Sequence, residues 1–258
     1  MTYAAFDLET AKILPDDIDD LQAHRPLGIT VGAIAVDGEE ARCFQNLEDD
    51  YIWTPRHAQK FITELEDLDA KGIDLVSWNG LRFDLSILAE EAGWGEWHLR
   101  AAALALKHYD LMFQVMCVKG YPVGLENTCK GLGLAGKLSG VGGAQAPAMW
   151  AAGEREKVSA YCAQDARATV DVYKKVEETG VFKWIANSGK PNKFKCPKIL
   201  RVRDAIMLKK PYNGWMEDPI DRDEFWAWTQ EAPPGGLLPS LADIQRPPED
   251  DLPFIAQF

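Results

Sequence analysis

The chain has 258 residues, 47% hydrophobic and 26% charged, enough apolar material for one full domain with an appendage and far from a disordered composition. It holds no apolar run of about 18 residues, and its start, Met1-Thr2-Tyr3-Ala4-Ala5-Phe6-Asp7, lacks the basic and apolar regions of a signal peptide, so a soluble, cytoplasmic protein is expected. The net charge of −12 is unevenly spread: residues 1–180 carry 17 Lys and Arg against 29 Asp and Glu, whereas residues 181–258 carry 11 of each.

Tyr3 to Leu8 reads as a first strand. The β-branched run from Gly28 to Val36 reads as a second, and Asp37-Gly38 as a two-residue hairpin turn into a third near Ala41 to Gln45. Phe61, Ile62, Leu65 and Leu68 follow the i, i+3, i+4, i+7 rule, which predicts an amphipathic helix over 55–71 closed by Gly72. A short buried strand follows at Ile73 to Ser77, then helices over Phe83 to Ala92 and Glu96 to Lys107, a short strand at Tyr109, and a helix capped by Asp110. Gly133 to Pro147, rich in small residues, predicts a surface loop, and Glu154 to Glu178 the longest helix, stopped by Gly180. Beyond it, Val181 to Ala186 and Lys193 to Cys196 suggest a hairpin, and Asp221 to Gln230 a helix. The expected architecture is α/β: a mixed β-sheet flanked by helices over residues 1–180, with a small basic C-terminal extension over 181–258.

Four acids stand out. Asp7 and Glu9, two apart at the end of the first strand, point to one face, unless the strand stops at Leu8 and Glu9-Thr10 is a solvated turn. Asp84 follows a glycine turn at the start of a helix, where an acid is also simply a good helix start. Asp165 lies four residues after Tyr161, on one helical face; the plainer alternative is a core aromatic beside an exposed charge. Like charges gathered in a site repel unless a cation neutralises them. Mg²⁺ and Mn²⁺ prefer carboxylate oxygens, and a two-metal phosphoryl site needs about four acids around ions roughly 3.5–4 Å apart.

Phe6-Asp7-Leu8-Glu9-Thr10, Asn79-Gly80-Leu81-Arg82-Phe83-Asp84 and Tyr161-Cys162-Ala163-Gln164-Asp165 resemble the three motifs of the DEDD 3′-to-5′ exonuclease superfamily, built on the ribonuclease H-like fold. The nearest resemblance is to predicted exonucleases related to the proofreading domain of family-B DNA polymerases, in which segments like His108-Tyr109-Asp110-Leu111-Met112 and Leu132-Gly133-Leu134-Ala135-Gly136-Lys137 are also expected. The resemblance covers about Thr2 to Glu178. Ala160 stands where the histidine branch has His, and Tyr161 fits the tyrosine, or DEDDy, branch.

The resemblance implies a nuclease with two divalent ions, Mg²⁺ or Mn²⁺. Asp7 would bridge both, Glu9 and Asp165 complete one site, and Asp84 serves the other. Tyr161 would orient the attacking water, since a phenol ordinarily titrates near ~10 and is a poor base at neutral pH. The product would be a nucleoside 5′-monophosphate released from single-stranded 3′ ends, DNA rather than RNA. An exoribonuclease and a non-catalytic nucleic-acid-binding subunit are the competing readings. Thr10 and Asn79 match positions that touch the terminal nucleotide; Trp78 and Phe83 offer faces for stacking or, alternatively, pack in the core.

The basic stretch from Lys183 to Lys210, with Phe194 and Tyr212 among its lysines, suits a phosphate backbone, with Lys193 and Lys195 as candidate contacts; a solvated edge is the alternative. The extension also offers a surface for a protein partner. The run Asp16-Asp17-Ile18-Asp19-Asp20 lacks the offsets of a calcium loop, the four histidines show no ligand spacing, and the five scattered cysteines read as reduced, mostly buried thiols.

Overall fold

In the computed structural model, which describes residues 2–15, 21–48, 51–93, 95–136, 142–230 and 255–256, the first strand β1 (Tyr3–Thr10) is central to a mixed sheet. It pairs antiparallel with β2 (Ile29–Val36), which pairs antiparallel with β3 (Arg42–Gln45). Helix α1 (Pro55–Ala70) then leads to β4 (Asp74–Ser77), which lies parallel to β1 on its other side. Helices α2 (Asp84–Glu91) and α3 (Glu96–Lys107) precede β5 (Tyr109–Asp110), parallel to β4. After α4 (Leu111–Lys119), α5 (Leu125–Leu132) and α6 (Ala146–Ala151) comes the long α7 (Arg155–Thr179). The hairpin β6 (Val181–Ile185) and β7 (Pro191–Lys195), the single-turn α8 (Val202–Ala205) and a two-residue strand β8 (Ile255–Ala256) beside β3 complete the order, so the sheet runs β5-β4-β1-β2-β3-β8.

The pleat of β1 divides the interior. Ala4, Phe6 and Leu8 enter a core built with residues of α1 to α4, including Phe61, Leu85, Leu88 and Phe113. Tyr3 and Ala5 point the other way, into a second core with Val158, Cys162 and Ala166 of α7. Because successive side chains alternate, Asp7 and Glu9 continue the row that faces α7. Phe182 and Trp184 of β6 belong to this second core, and α5 lies so close that a Cβ on Gly131 would stand 2.3 Å from the Trp184 Cα.

Several local expectations change. Asp37-Gly38 does occupy the centre of a turn, with the Glu39 amide donating to the Val36 carbonyl at 3.0 Å. The ladder resumes only at Ile34 and Arg42, so the connection is longer than a two-residue hairpin. Pro147 lies inside α6 at its first turn, where its missing N–H costs no hydrogen bond, and residues 137–141 of the expected loop, Lys137 among them, are outside the described residues. Asp221 to Gln230 forms two 3₁₀ turns, Arg222–Phe225 and Ala227–Gln230, rather than one α-helix. The run Asp16 to Asp20 is outside the described residues.

Candidate active site

Strand β1 runs to Thr10, not Leu8, and Glu9 is buried at 6% exposure, so Glu9-Thr10 is not a solvated turn. The register slips there: Glu9 sits opposite Val31 but Thr10 opposite Ile29, leaving Thr30 as the extra residue of a bulge. The Thr30 hydroxyl donates to the Glu9 carbonyl at 3.0 Å, which holds the bulge in place. Such bulges re-aim side chains beside functional sites.

Across from them, α7 brings Tyr161, Cys162 and Asp165. Both Tyr161 and Asp165 are buried, so the alternative of an exposed Asp165 fails. The Cys162 thiol donates to the Asp7 carbonyl at 3.3 Å, and one ligand atom from each of Asp7, Glu9 and Cys162 lies within 4.8 Å of the others. Burial, then the charges of Asp7 and Glu9, raise the Cys162 thiol well above its ordinary range, which keeps it protonated beside the two acids. Hard divalent ions would therefore find oxygen ligands here and a poor sulfur one.

Asp84 reaches the same end of the sheet from the opposite core. It opens α2, is buried at 3% exposure, and accepts a hydrogen bond from the backbone of Leu8, between Asp7 and Glu9. Burial pushes its carboxyl up to about 8; backbone hydrogen bonds oppose this, and the nearby charges of Asp110 and Asp165 add to it. Its Oδ1 is buried with no hydrogen-bond partner among the described residues. A cation would satisfy both conditions at once, replacing the missing donor and favouring the ionised form. Asp7 and Glu9 offer ligand atoms within 4.8 Å of one another, and with Asp84 and Asp165 nearby they would supply the oxygen donors that Mg²⁺ or Mn²⁺ prefers.

The turn that delivers Asp84 is held from three sides. Asn79 adopts a left-handed φ of 70°, and its N–H and that of Leu81 donate to the two carboxylate oxygens of Asp110 at 3.1 and 2.9 Å. Asp110 also caps α4 by accepting from the Phe113 amide at 2.9 Å, so the expected cap is a clamp as well. Gly80 donates to the Ser77 hydroxyl, which in turn meets the His108 ring at 2.9 Å; a Cβ on Gly80 would lie 2.5 Å from that oxygen. From outside, the Trp228 indole donates to the Leu81 carbonyl at 2.7 Å, Arg82 lies 3.8 Å from Glu224, and its guanidinium covers the Phe225 ring at 5.0 Å.

Asp7 and Asp165 line one cleft together with Trp78, Asn79, Met112 and the stretch Pro122 to Glu126. Phe83 is half-buried against the first core and is not among the cleft-lining residues, and Thr10 sits at the bulge. Lys193 and Lys195 are exposed on β7, away from the cleft lining. Sequence reasoning missed Glu126 in the cleft, the clamping role of Asp110 and the strap ending at Trp228, none of which has a local pattern that marks it.

A family model for the RNase H superfamily matches residues 6–177 of the 258. The chain belongs to the RNase H superfamily. A search of curated proteins finds no match. RNase H-like proteins are typically nucleases that bind nucleic acid and use divalent metals, and the sheet and its acidic cluster follow that pattern. Three histidines of this RNase H-like protein make structural contacts. His57 takes part in the capping of α1, His98 packs edge-on to Trp228 at 5.6 Å, and His108 bonds to Ser77 and the Ala105 carbonyl. All five cysteines are free and buried. Among the described residues, no helix is long and apolar enough to cross a membrane.

Proposed function

We propose that this protein is a metal-dependent 3′-to-5′ exonuclease of the DEDDy type, acting on single-stranded DNA ends and releasing nucleoside 5′-monophosphates. The observation that carries the reading is the burial of Asp84 against the Leu8 backbone, at the end of β1 that also presents Asp7 and Glu9, with Asp165 close enough to act on its charge. Buried carboxylates from three distant segments are costly to hold together without cations. Two divalent ions held by Asp7, Glu9, Asp84 and Asp165 would lower the pKa of an attacking water and stabilise charge on the departing 3′-oxygen.

The chain's own groups do the rest. Tyr161, one helical turn before Asp165, orients the water; Asn79, which lines the cleft, meets the terminal nucleotide with Thr10; and Trp78 offers a face for its base. Phe83 acts from behind, by packing against the core. The nuclease unit spans residues 1–180, and Lys193 and Lys195 of the extension engage phosphates outside the cleft. Free buried thiols suit a cytosolic setting.

The test is incubation of 3′-labelled and 5′-labelled DNA and RNA oligonucleotides with Mn²⁺ or with EDTA. Mononucleotide release from the 3′ end of DNA, abolished by EDTA and by Asp7→Ala or Asp165→Ala, is the expected result, with weak residual activity in Tyr161→Phe. Undiminished turnover by purified Asp7→Ala protein would overturn the assignment. Preference for RNA would replace DNA as substrate, and binding without cleavage would make the protein a nucleic-acid-binding subunit.

A further inference from the structure

Aromatic rings continue out of the cleft in an unbroken series. Trp78, in the cleft wall, lies 6.2 Å from Phe182, which stacks on Phe194 at 5.3 Å with an interplanar angle of 4°. Phe194 meets Trp184 at 6.2 Å, Trp184 meets Tyr121 at 6.3 Å, and Tyr121 meets Trp215 at 6.0 Å. The inner rings, Phe182 and Trp184, are buried and act as a foundation; the outer end is open, with Trp215 63% and Tyr212 82% exposed. Tyr121 directly precedes Pro122, where the cleft lining begins, so the series and the cleft share one wall.

Large exposed aromatics are costly to leave in water, and two on one short segment mark a binding surface rather than a stray residue. The segment is anchored: Pro211 and Asn213 pack so close to Gly120 that a Cβ there would stand 3.2 and 3.3 Å from them. One cationic group flanks the rings: the Lys119 ammonium lies 5.6 Å from the Phe194 centroid and 6.0 Å from that of Trp184, whereas Lys193 and Lys195 alternate with Phe194 on β7 and occupy the outer face of the hairpin. Lys210 is taken up by Asp221 and Asp223 and contributes little free charge. Rings for base stacking, continuous with the cleft and with the Lys119 ammonium beside them for a phosphate, suit a single strand that leaves the cleft of a nucleic-acid-binding fold.

We infer that Tyr121 and Trp215, with Tyr212 on the same exposed segment and Lys119 beside the inner rings, form an accessory binding face for single-stranded nucleic acid, holding the nucleotides upstream of the end seated in the cleft. The inference rests on the nuclease reading for the direction of the strand, but not for the existence of the face. Stacking tolerates any base, so the face adds affinity for length without sequence preference, and the enzyme grips a strand it shortens from one end.

The test reads binding rather than turnover, so absence of cleavage would defeat the nuclease reading and leave this one standing. Full-length protein is titrated into fluorescein-labelled dT12 and dT3 with Ca²⁺ present, and anisotropy is followed. Trp215→Ala is expected to weaken dT12 binding roughly five- to fiftyfold, with dT3, too short to leave the cleft, unaffected. Trp215→Phe keeps a ring and should restore most of the affinity, while unchanged thermal midpoints exclude damage to the fold. Equal dT12 affinity in Trp215→Ala and the unsubstituted protein would overturn the inference. So would a loss of self-association on Trp215→Ala with dT12 affinity intact, which would make the patch a protein contact.

Discussion

The indole N–H of Trp228 donates to the carbonyl of Leu81 at 2.7 Å, joining two residues 147 positions apart and bracing the turn that delivers Asp84 from the far end of the described chain. Phe225, buried against Phe113 at 5.7 Å, fixes the strap beneath it. Trp228→Phe keeps a ring against His98 but strands the Leu81 carbonyl. Stability should fall by about 0.5–1.5 kcal/mol, and the Mn²⁺ concentration for half-maximal hydrolysis should rise several-fold as the turn loosens. Denaturant unfolding and a metal titration check the two parts separately.

Asp110 makes a stronger claim on the same turn. Its carboxylate accepts from the amides of Asn79, Leu81 and Phe113, and it is 2% exposed. Asp110→Ala leaves three N–H groups in a dry site, two of them on the left-handed turn, and should cost about 2–4 kcal/mol. Asp110→Asn retains one acceptor oxygen and should lose less. A stability loss for Asp110→Ala no larger than that of an exposed acid such as Glu217 would show that the turn holds itself.

Much of this was readable in advance, for stated reasons. The apolar run that opens β1, the 3.6-period stripe of α1 and the glycine stop of α7 are local patterns and mark those elements, although β1 continues two residues past its expected end at Leu8. Taken singly, Asp7, Glu9, Asp84 and Asp165 each had a plain structural reading; the expectation that they converge came from their conjunction and from the resemblance of their three motifs to the DEDD exonucleases. The Trp228–Leu81 bond and the ring series ending at Trp215 join segments with no shared periodicity, and only tertiary packing sets them. The 3₁₀ turns at Arg222–Phe225 and Ala227–Gln230 show the limit of local pattern: the strap follows the surface it docks on, with Phe225 buried inward and Ala227 left exposed. The extension read as a basic appendage sends Phe182 and Trp184 into the second core, because β6 packs directly on α5.

The pH dependence of the metal-free protein follows from Asp84. Its carboxyl is raised in the folded state, from an ordinary value near ~4 to about 8, chiefly by burial. Between those values the folded chain holds a proton that the unfolded chain has lost, so stability falls as pH rises, by at most about 1.4 kcal/mol per pH unit. In EDTA, Asp84→Asn should remove this slope and exceed the unsubstituted protein in stability at pH 8, with the gap closing toward pH 4. Mn²⁺ at pH 8 should stabilise the unsubstituted protein and leave Asp84→Asn much less affected. Parallel stability curves for the two proteins across that range would show that Asp84 carries no trapped proton.

The lysines of β7 allow an electrostatic test independent of catalysis. Lys193 and Lys195 are two apart on the strand, both exposed, and Phe194 between them turns inward to stack on Phe182. Their ammonium groups therefore share the outer face of the hairpin, spaced to meet neighbouring phosphates. Each phosphate neutralised on a single strand contributes about 0.7 to the slope of log K against log salt. The double substitution Lys193→Ala, Lys195→Ala should flatten the slope for dT12 by about 1.4, weakening binding most at low salt and least at high salt. Trp215→Ala should instead lower affinity by a similar factor at every salt concentration, because stacking releases no counterions. A salt slope unchanged by removal of both lysines would make β7 an ordinary solvated edge, kept from pairing with other chains by its charge.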